Sequence, residues 1–483
     1  MAQKGQLNVV GDFGQEREPK IDSQRTINMY VLKTPEGKSP STLAPMAGRK
    51  NILEIIGAIE VRQLYTFKDY MYAVVEDEIY KIDSLFNKTL LGSITTTSGY
   101  VAVNANVNQI IFIDGSNGYI YDTTTSTFTK ITDPGFPSNP SDVTFLDGYF
   151  ISNSSETNKF YVSALNNGLS WDVLNFAEIQ SKPDVLIGLK TLHRRLFLFG
   201  KKITEVWYNA GKSDFPLARD DNLLLEYGCA ADGSIVTGYQ KLFWLSGDEN
   251  GVGSVMMTDG TVPIPISTPA LDYQIQSYTD FTDARGFVYK IDGHVFYELS
   301  FTTDNKTWIY DATTNMWFEG ETLDENRQLG NCHTFYKNEH YIGAYNSGII
   351  YNLSSQYLTD DDQPILRKRI CGHFSDPSLK NIVVGRVNLD IVAGEGGLID
   401  TPGAGVNKPL YAEPKVYLSF SKDGGKSFSN RHVATLGKVG DRTHRCIFRR
   451  LGKARDWVFR FEVISKNKVY FLSASIDYKI IGR

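Results

Sequence analysis

Tyr65-Thr66-Phe67-Lys68-Asp69-Tyr70-Met71-Tyr72-Ala73-Val74-Val75, followed after a polar turn by Ile79-Tyr80-Lys81-Ile82, is a pair of aromatic-rich, strand-like runs. The pattern returns at 109–115 with 119–122, 143–151 with 159–163, 195–200 with 204–208, 241–246, 294–299 with 307–311, and 340–345 with 348–351. Taking the first run of each pair as a first strand, comparable aromatics stand at Tyr72, Phe112, Phe150, Phe197, Phe243, Phe296 and Tyr341, with gaps of 40, 38, 47, 46, 53 and 45. A period of about 40–50 residues built from several short strands predicts a β-propeller. A twisted four-stranded blade cannot cover both of its faces alone, and radial stacking buries each blade against the next. Asp114-Gly115, Asp147-Gly148, Asp259-Gly260 and Asp292-Gly293 lie near strand ends, as tight hairpins require. The reading is six or seven blades within residues 55–364, seven preferred, with a stack of unrelated β-sandwiches as the alternative.

Composition agrees. The 483 residues are 41% hydrophobic and 22% charged, with 27 Tyr, 27 Phe and 42 Gly. Tyr and Phe favour pleated strands and Gly supplies turns, which excludes a helical bundle, a coiled coil and a disordered chain. No apolar run reaches the ~18 residues of a bilayer span. The first residues lack the apolar core of a secretory signal, so synthesis in a cytoplasm is expected. Cys229, Cys332, Cys371 and Cys446 are too scattered for a metal or redox motif and are expected to be reduced, packed thiols. No metal or cofactor is expected.

Outside the repeat, residues 1–54 read as an irregular arm, with 33–41 as a loop. Residues 354–364 are acidic and end in Pro364, which suggests a linker with Asp360, Asp361 and Asp362 in solvent. From 365 to 483 alternating runs at 381–384, 386–392, 414–420, 457–463 and 468–473 predict an antiparallel β-sandwich, and the Gly/Pro stretch 393–409 an exposed loop. The fold class is therefore all-β: a propeller followed by a sandwich.

The net charge of -5 hides a division. Residues 365–483 hold 22 Lys+Arg and 10 Asp+Glu, or +12; residues 1–364 hold the other 28 basic and 45 acidic, or -17. The densest basic stretch includes Arg442, Arg445, Arg449, Arg450, Lys453 and Arg455, which become candidates for contact with DNA or an acidic partner. The plainer reading is a wet sheet face.

Catalytic signals are few. Ser421-Lys422-Asp423-Gly424-Gly425-Lys426-Ser427-Phe428 fits an Asp-box, with Ser421, Asp423, Gly425 and Phe428 at its defining positions, and 166–171 is a relaxed copy. Such boxes occur in sialidases, but the motif pins a hairpin and takes no part in the reaction. His333 and His340 lack metal-like spacing, and the chain has no nucleophile elbow, phosphate-binding loop or dinucleotide fingerprint. Paired carboxylates for glycoside hydrolysis stay open.

Ser23-Gln24-Arg25-Thr26-Ile27-Asn28-Met29-Tyr30 with Leu43-Ala44-Pro45, the segment 161–172, and the run from Leu418 through Asp423 to Arg449-Arg450-Leu451-Gly452 together resemble the packaged-DNA stabilisation, or tail hub, proteins of short-tailed bacteriophages. The likeness spans nearly the full length in the same order, though much loop sequence departs from it. It implies a non-enzymatic virion tail component forming a homo-oligomeric ring, a hexamer. Its expected neighbours are the portal or head-completion adaptor, a tail spike or fibre, a tail needle or plug, and the packaged DNA. The competing classes are a glycan-binding or glycan-cleaving, sialidase-like propeller and a host protein-interaction propeller.

Overall fold

The computed structural model describes residues 3–37, 39–212, 214–248, 251–392, 397–399, 410–412, 414–438 and 440–481. Most of the stretch 393–409, read as an exposed loop, lies outside the described residues. Seven four-stranded sheets follow one another at 61–93, 102–130, 143–178, 186–225, 236–265, 285–319 and 330–354. The last contributes only three strands; its fourth and outermost is Gly48–Glu54, antiparallel to Ile349–Ser354. The innermost strands touch in a closed ring, from Val61–Phe67 through each blade to Gly330–Tyr336 and back. The molecule is a seven-bladed propeller whose ring is closed by chain that precedes blade one.

All seven periodic aromatics fall on the second strand from the centre, not the first. Neighbouring blades cover that strand on both faces, so it is apolar throughout: Arg195–Gly200 buries Leu196, Phe197, Leu198 and Phe199. In six blades two residues join first strand to second, and in five of these both have positive φ. That geometry matches strand twist. Asp147-Gly148 and Asp292-Gly293 are two of the five; the others are His193-Arg194, Tyr239-Gln240 and Lys337-Asn338.

The expected irregular arm is strand-rich. Gln3–Leu7, Met29–Lys33 and Ser41–Pro45 join Asn381–Ile391, Cys446–Ala454 and Phe471–Ile481 in one sheet of the sandwich. Arg25–Ile27 joins Gln363–Ile370, Asp456–Ser465, Lys415–Ser421 and His432–Thr435 in the other. The run 33–41 is the turn of a hairpin between two of these strands. Val387, Leu389, Phe448 and Ile476 of one sheet share a continuous core with Val416, Leu418, Phe459 and Phe461 of the other. The core runs on into Phe287, Phe296, Phe318 and Ile342 of blades six and seven.

Two backbone pairings join the domains. Ile27 pairs in parallel with Glu319 of blade six, and Asp360 with Arg49 of blade seven. Asn28, at φ 56, passes the chain from one sandwich sheet to the other. Asparagine tolerates this left-handed conformation. Its amide donates to Glu321 O and Leu366 O, both at 2.7 Å, and its side-chain oxygen accepts from Gln328 Nε2 at 2.7 Å. Arg25 forks onto Glu319 at 2.7 and 2.5 Å, and Lys368 reaches Glu325 at 2.9 Å. Much of the opening run 23–30 is therefore junction.

Asp360 also departs from expectation. It is buried and pairs with Arg49 at 3.2 Å, while Asp361 and Asp362, both at positive φ, form the two-residue turn before Gln363–Ile370. The run is a hairpin of the junction rather than a solvated linker.

Candidate partner-binding face

The outer face of the first sandwich sheet gathers charge by register. One row across it reads Lys453, Val383, Lys479, and the next reads Arg449, Arg386, Asp477, Lys4. With strands about 4.8 Å apart, the four-residue row spans about 14 Å. Beyond them, Arg442 and Arg445 line a groove of about 500 Å³ with Arg386, Asn388, Asp390 and Ser475. The face thus holds seven cations against two anions.

Pairing within the face is unequal. Arg386 gives its Nε and Nη2 to Asp477 Oδ2 at 2.7 and 2.6 Å. Arg449 sits directly opposite Arg386, an arrangement that disfavours the bare sheet and that an added anion relieves. Arg442, Arg445, Arg449, Arg450, Lys453 and Arg455 are all exposed, and among the described residues none of their side chains makes a hydrogen bond or ion pair. The structure brings Arg442 and Arg445 to the groove and Arg449 and Lys453 to the rows. Arg450 occupies a bulge, at φ 62, and Arg455 the turn between two strands. Lys4, Arg386 and Lys479 were missed because register, not sequence proximity, places them.

The Asp-box turn lies at the end of Lys415–Ser421. Asp423 Oδ1 accepts from the backbone N–H groups of Lys426 and Ser427 at 3.1 and 3.0 Å, and from Ser421 Oγ at 2.6 Å. Gly425 N–H donates to Ser421 Oγ at 2.8 Å, and Phe428 is half-buried beneath the Arg460 guanidinium at 4.4 Å. The Ser421 and Ser427 hydroxyls hold the Asp423 carboxyl well below the usual range. Asp423→Ala lowers the melting temperature by roughly 2–4 °C at neutral pH. The depressed carboxylate stabilises the folded state above the unfolded value of 3.8, so the gap to wild type closes as pH falls below it. Thermal melts at pH 7 and pH 2 check both statements.

The propeller channel holds a second cluster that sequence reading did not assemble. A cavity of about 440 Å³ is lined by Arg62, Tyr100, Lys190, Arg285, Asn331 and His333, among others. Arg62 spends its guanidinium on Gly99 O, Glu76 O, Thr96 O, Thr96 Oγ1 and Ser98 O, at 2.6 to 2.9 Å. Lys190 is held by Asp142 at 2.7 and 2.9 Å, and Arg285 stacks on Tyr100 at 4.8 Å. Arg62 and Lys190 are thus spent on loop carbonyls and on Asp142, whereas Arg285 lies over a ring with its buried Nη1 free of hydrogen-bond partners among the described residues. His333 and His340 do meet, with ring nitrogens 2.9 Å apart. Burial, helped by His340, pushes His333 down to about 3, so the contact is one between neutral rings. Among the described residues no group of His, Cys, Asp and Glu could hold a metal ion, and the four cysteines are free and buried.

No curated protein matches the chain. Among solved structures, the computationally designed Ika8 protein shares 12% identity, covering 63% of this chain and 99% of its own, with a TM-score of 0.38. The N-terminal domain of Nup159 shares 10%, covering 68% and 98%, with a TM-score of 0.41. Neither likeness carries an argument. Two family models do: the β-propeller of bacteriophage P22 Gp10 matches residues 9–357, and the β-sandwich of the same protein matches residues 377–479. The chain therefore belongs to the bacteriophage P22 Gp10 family of phage DNA-stabilisation, or tail hub, proteins.

Proposed function

We propose that this chain is the structural tail hub of a virion. In this reading it is a subunit of a ring, six-membered by family likeness, that joins the portal or head-completion adaptor to a tail spike or fibre and a needle or plug, and helps retain packaged DNA. It acts without catalysis. The observation that carries the reading is the basic sheet face, where the Arg442, Arg445, Arg449 and Lys453 side chains have no ion partner among the described residues, held on a scaffold whose two domains share a core. A flat face of Lys and Arg suits the phosphate backbone, which needs charge but no sequence readout.

Arg449→Glu with Arg450→Glu tests it. Both residues are exposed, so the variant melts within a degree or two of wild type. In the phage, the expected result is heads that package and then leak DNA, or tails that fail to assemble. In solution, duplex affinity falls and the slope of log K against log salt shrinks by about 2. Normal virions with an unchanged salt slope overturn the DNA role of this face.

A further inference from the structure

The outer strands of blades three and four carry the same irregularity. In Asn167–Glu178, residues 172–175 bulge opposite Val162 alone; in Leu217–Leu225, residues 220–223 bulge opposite Val206 alone. An aspartate opens each bulge and accepts the N–H two residues on: Asp172 from Leu174 at 2.9 Å, Asp220 from Asn222 at 3.2 Å. Bulges on sheet edges often block edge-to-edge pairing, and charge or proline then usually guards them. Blade three does the opposite. Its bulge carries Val173 at 54% and Leu174 at 78% exposure, with Leu165, Leu169 and Phe176 exposed nearby. An apolar knob of this kind marks a contact surface.

Charge and position indicate what covers it. Segments 167–178 and 217–226 hold five acidic residues and one basic, or -4, whereas the sandwich region is +12. Glu178, Asp220, Asp221 and Glu226 have surface ion partners, but such pairs are weak and solvated, and among the described residues Asp172 has no ion partner. The sandwich is joined to blades six and seven, and half a turn round a seven-bladed ring from their boundary lies blade three. At the sandwich edge farthest from that junction, among the described residues no further strand pairs with His432–Thr435, although its end at Thr435 is touched by His444 and Cys446. It presents Val433, 55% exposed, beside Tyr417 and Lys415 on one face, with Arg431 over the Tyr417 ring at 5.4 Å. An apolar knob flanked by acid at one end is thus matched by an apolar spot at the other, flanked by Lys415 and by Arg431, which also pairs with Glu462 at 2.8 Å. Two different, complementary patches at opposite ends are what a head-to-tail assembly of identical chains requires.

We infer that the bulged rim of blades three and four docks the free sandwich edge of a second copy of this chain. This rests on the reading of the chain as a ring subunit and names the surfaces that make the ring. The test uses the full chain in mass photometry and sedimentation at concentrations up to ~100 μM. Wild type self-associates. Val173→Asp/Leu174→Asp, which lacks the rim, and Val433→Asp/Lys415→Glu, which lacks the edge, are each monomeric, their self-affinity weakened at least ~100-fold. Mixed together, they form a one-to-one dimer and nothing larger, because each supplies the end the other lacks. A monomeric wild type, a rim variant that assembles normally, or a mixture that stays monomeric overturns the interface. Complementing a phage that lacks its hub reads the virion role separately: rim variants that build working virions sink only the interface, and a wild-type chain that fails to complement sinks the larger reading.

Discussion

Replacing Arg49 with Met lowers the unfolding free energy by about 3–5 kcal/mol at pH 8, and by clearly less at pH 5. Arg49 is buried where blade seven meets the sandwich. Its Nη1 donates to Gln328 Oε1 at 2.5 Å and Asp360 Oδ1 at 3.2 Å, and its Nη2 lies 3.8 Å from Glu298 Oε1. Glu298 is fully buried and neither carboxyl oxygen makes a hydrogen bond. Burial pushes its pKa up to about 7, against the pull of Arg49. The sign follows from proton counts. An acid with a raised folded pKa keeps its proton in the folded state while the unfolded chain releases it, so its contribution to stability falls as pH rises from 4.5 toward 7. Without Arg49 the carboxyl titrates higher still, so the variant's deficit widens with pH. Urea melts at pH 5 and pH 8 measure it. Adding Glu298→Gln to the variant recovers part of the loss at pH 8, because the uncompensated buried charge is gone. Equal deficits at both pH values remove Glu298 from the account.

The period was legible because one strand per blade is covered on both faces. Phe112, Phe150, Phe197 and Phe243 stand in such strands and announce themselves by aromatic character. Strands lining the channel include polar positions such as Asn104, Thr144 and Thr191, and the outer strands bulge, so neither shows a clean alternation. The arm was illegible for a different reason. Gln3 pairs with Tyr478, Arg25 with Ile370 and Gly48 with Ser354. Short strands whose partners lie hundreds of residues away leave no local signature. The same applies to the candidate face: Arg449 and Lys453 were visible as a charge run, whereas Lys4 and Lys479 reach it only through pairing across neighbouring strands. Asp360 misled in the other direction, since a run of three aspartates reads as wet until Arg49 is placed beside it.

Residues 365–483 expressed alone do not give a folded sandwich, and residues 3–45 supplied to them restore it. The reason is topological. The first sheet takes three of its six strands from the amino-terminal segment, and the second takes Arg25–Ile27 as the strand next to the propeller. Leu7, Val9, Met29, Val31 and Leu43 are all buried in the sandwich core. Removing five such side chains, at about 1.5–3 kcal/mol each, costs as much as the whole stability of an ordinary domain. It also bares the edges of Phe471–Ile481 and Gln363–Ile370 to aggregation. Deleting 1–46 from the full chain has the same effect on the sandwich while leaving Gly48–Glu54 to close the propeller, so the propeller signal survives and the sandwich signal does not. Amide exchange separates the two: protection persists in the blade strands and is lost at Trp457–Val463. A stable, protected 365–483 fragment would show that the amino-terminal strands decorate the sandwich rather than complete it. Fusing 3–45 to that fragment through a flexible linker distinguishes a missing sheet from a poorly expressed one, because only the former is rescued in two-state unfolding.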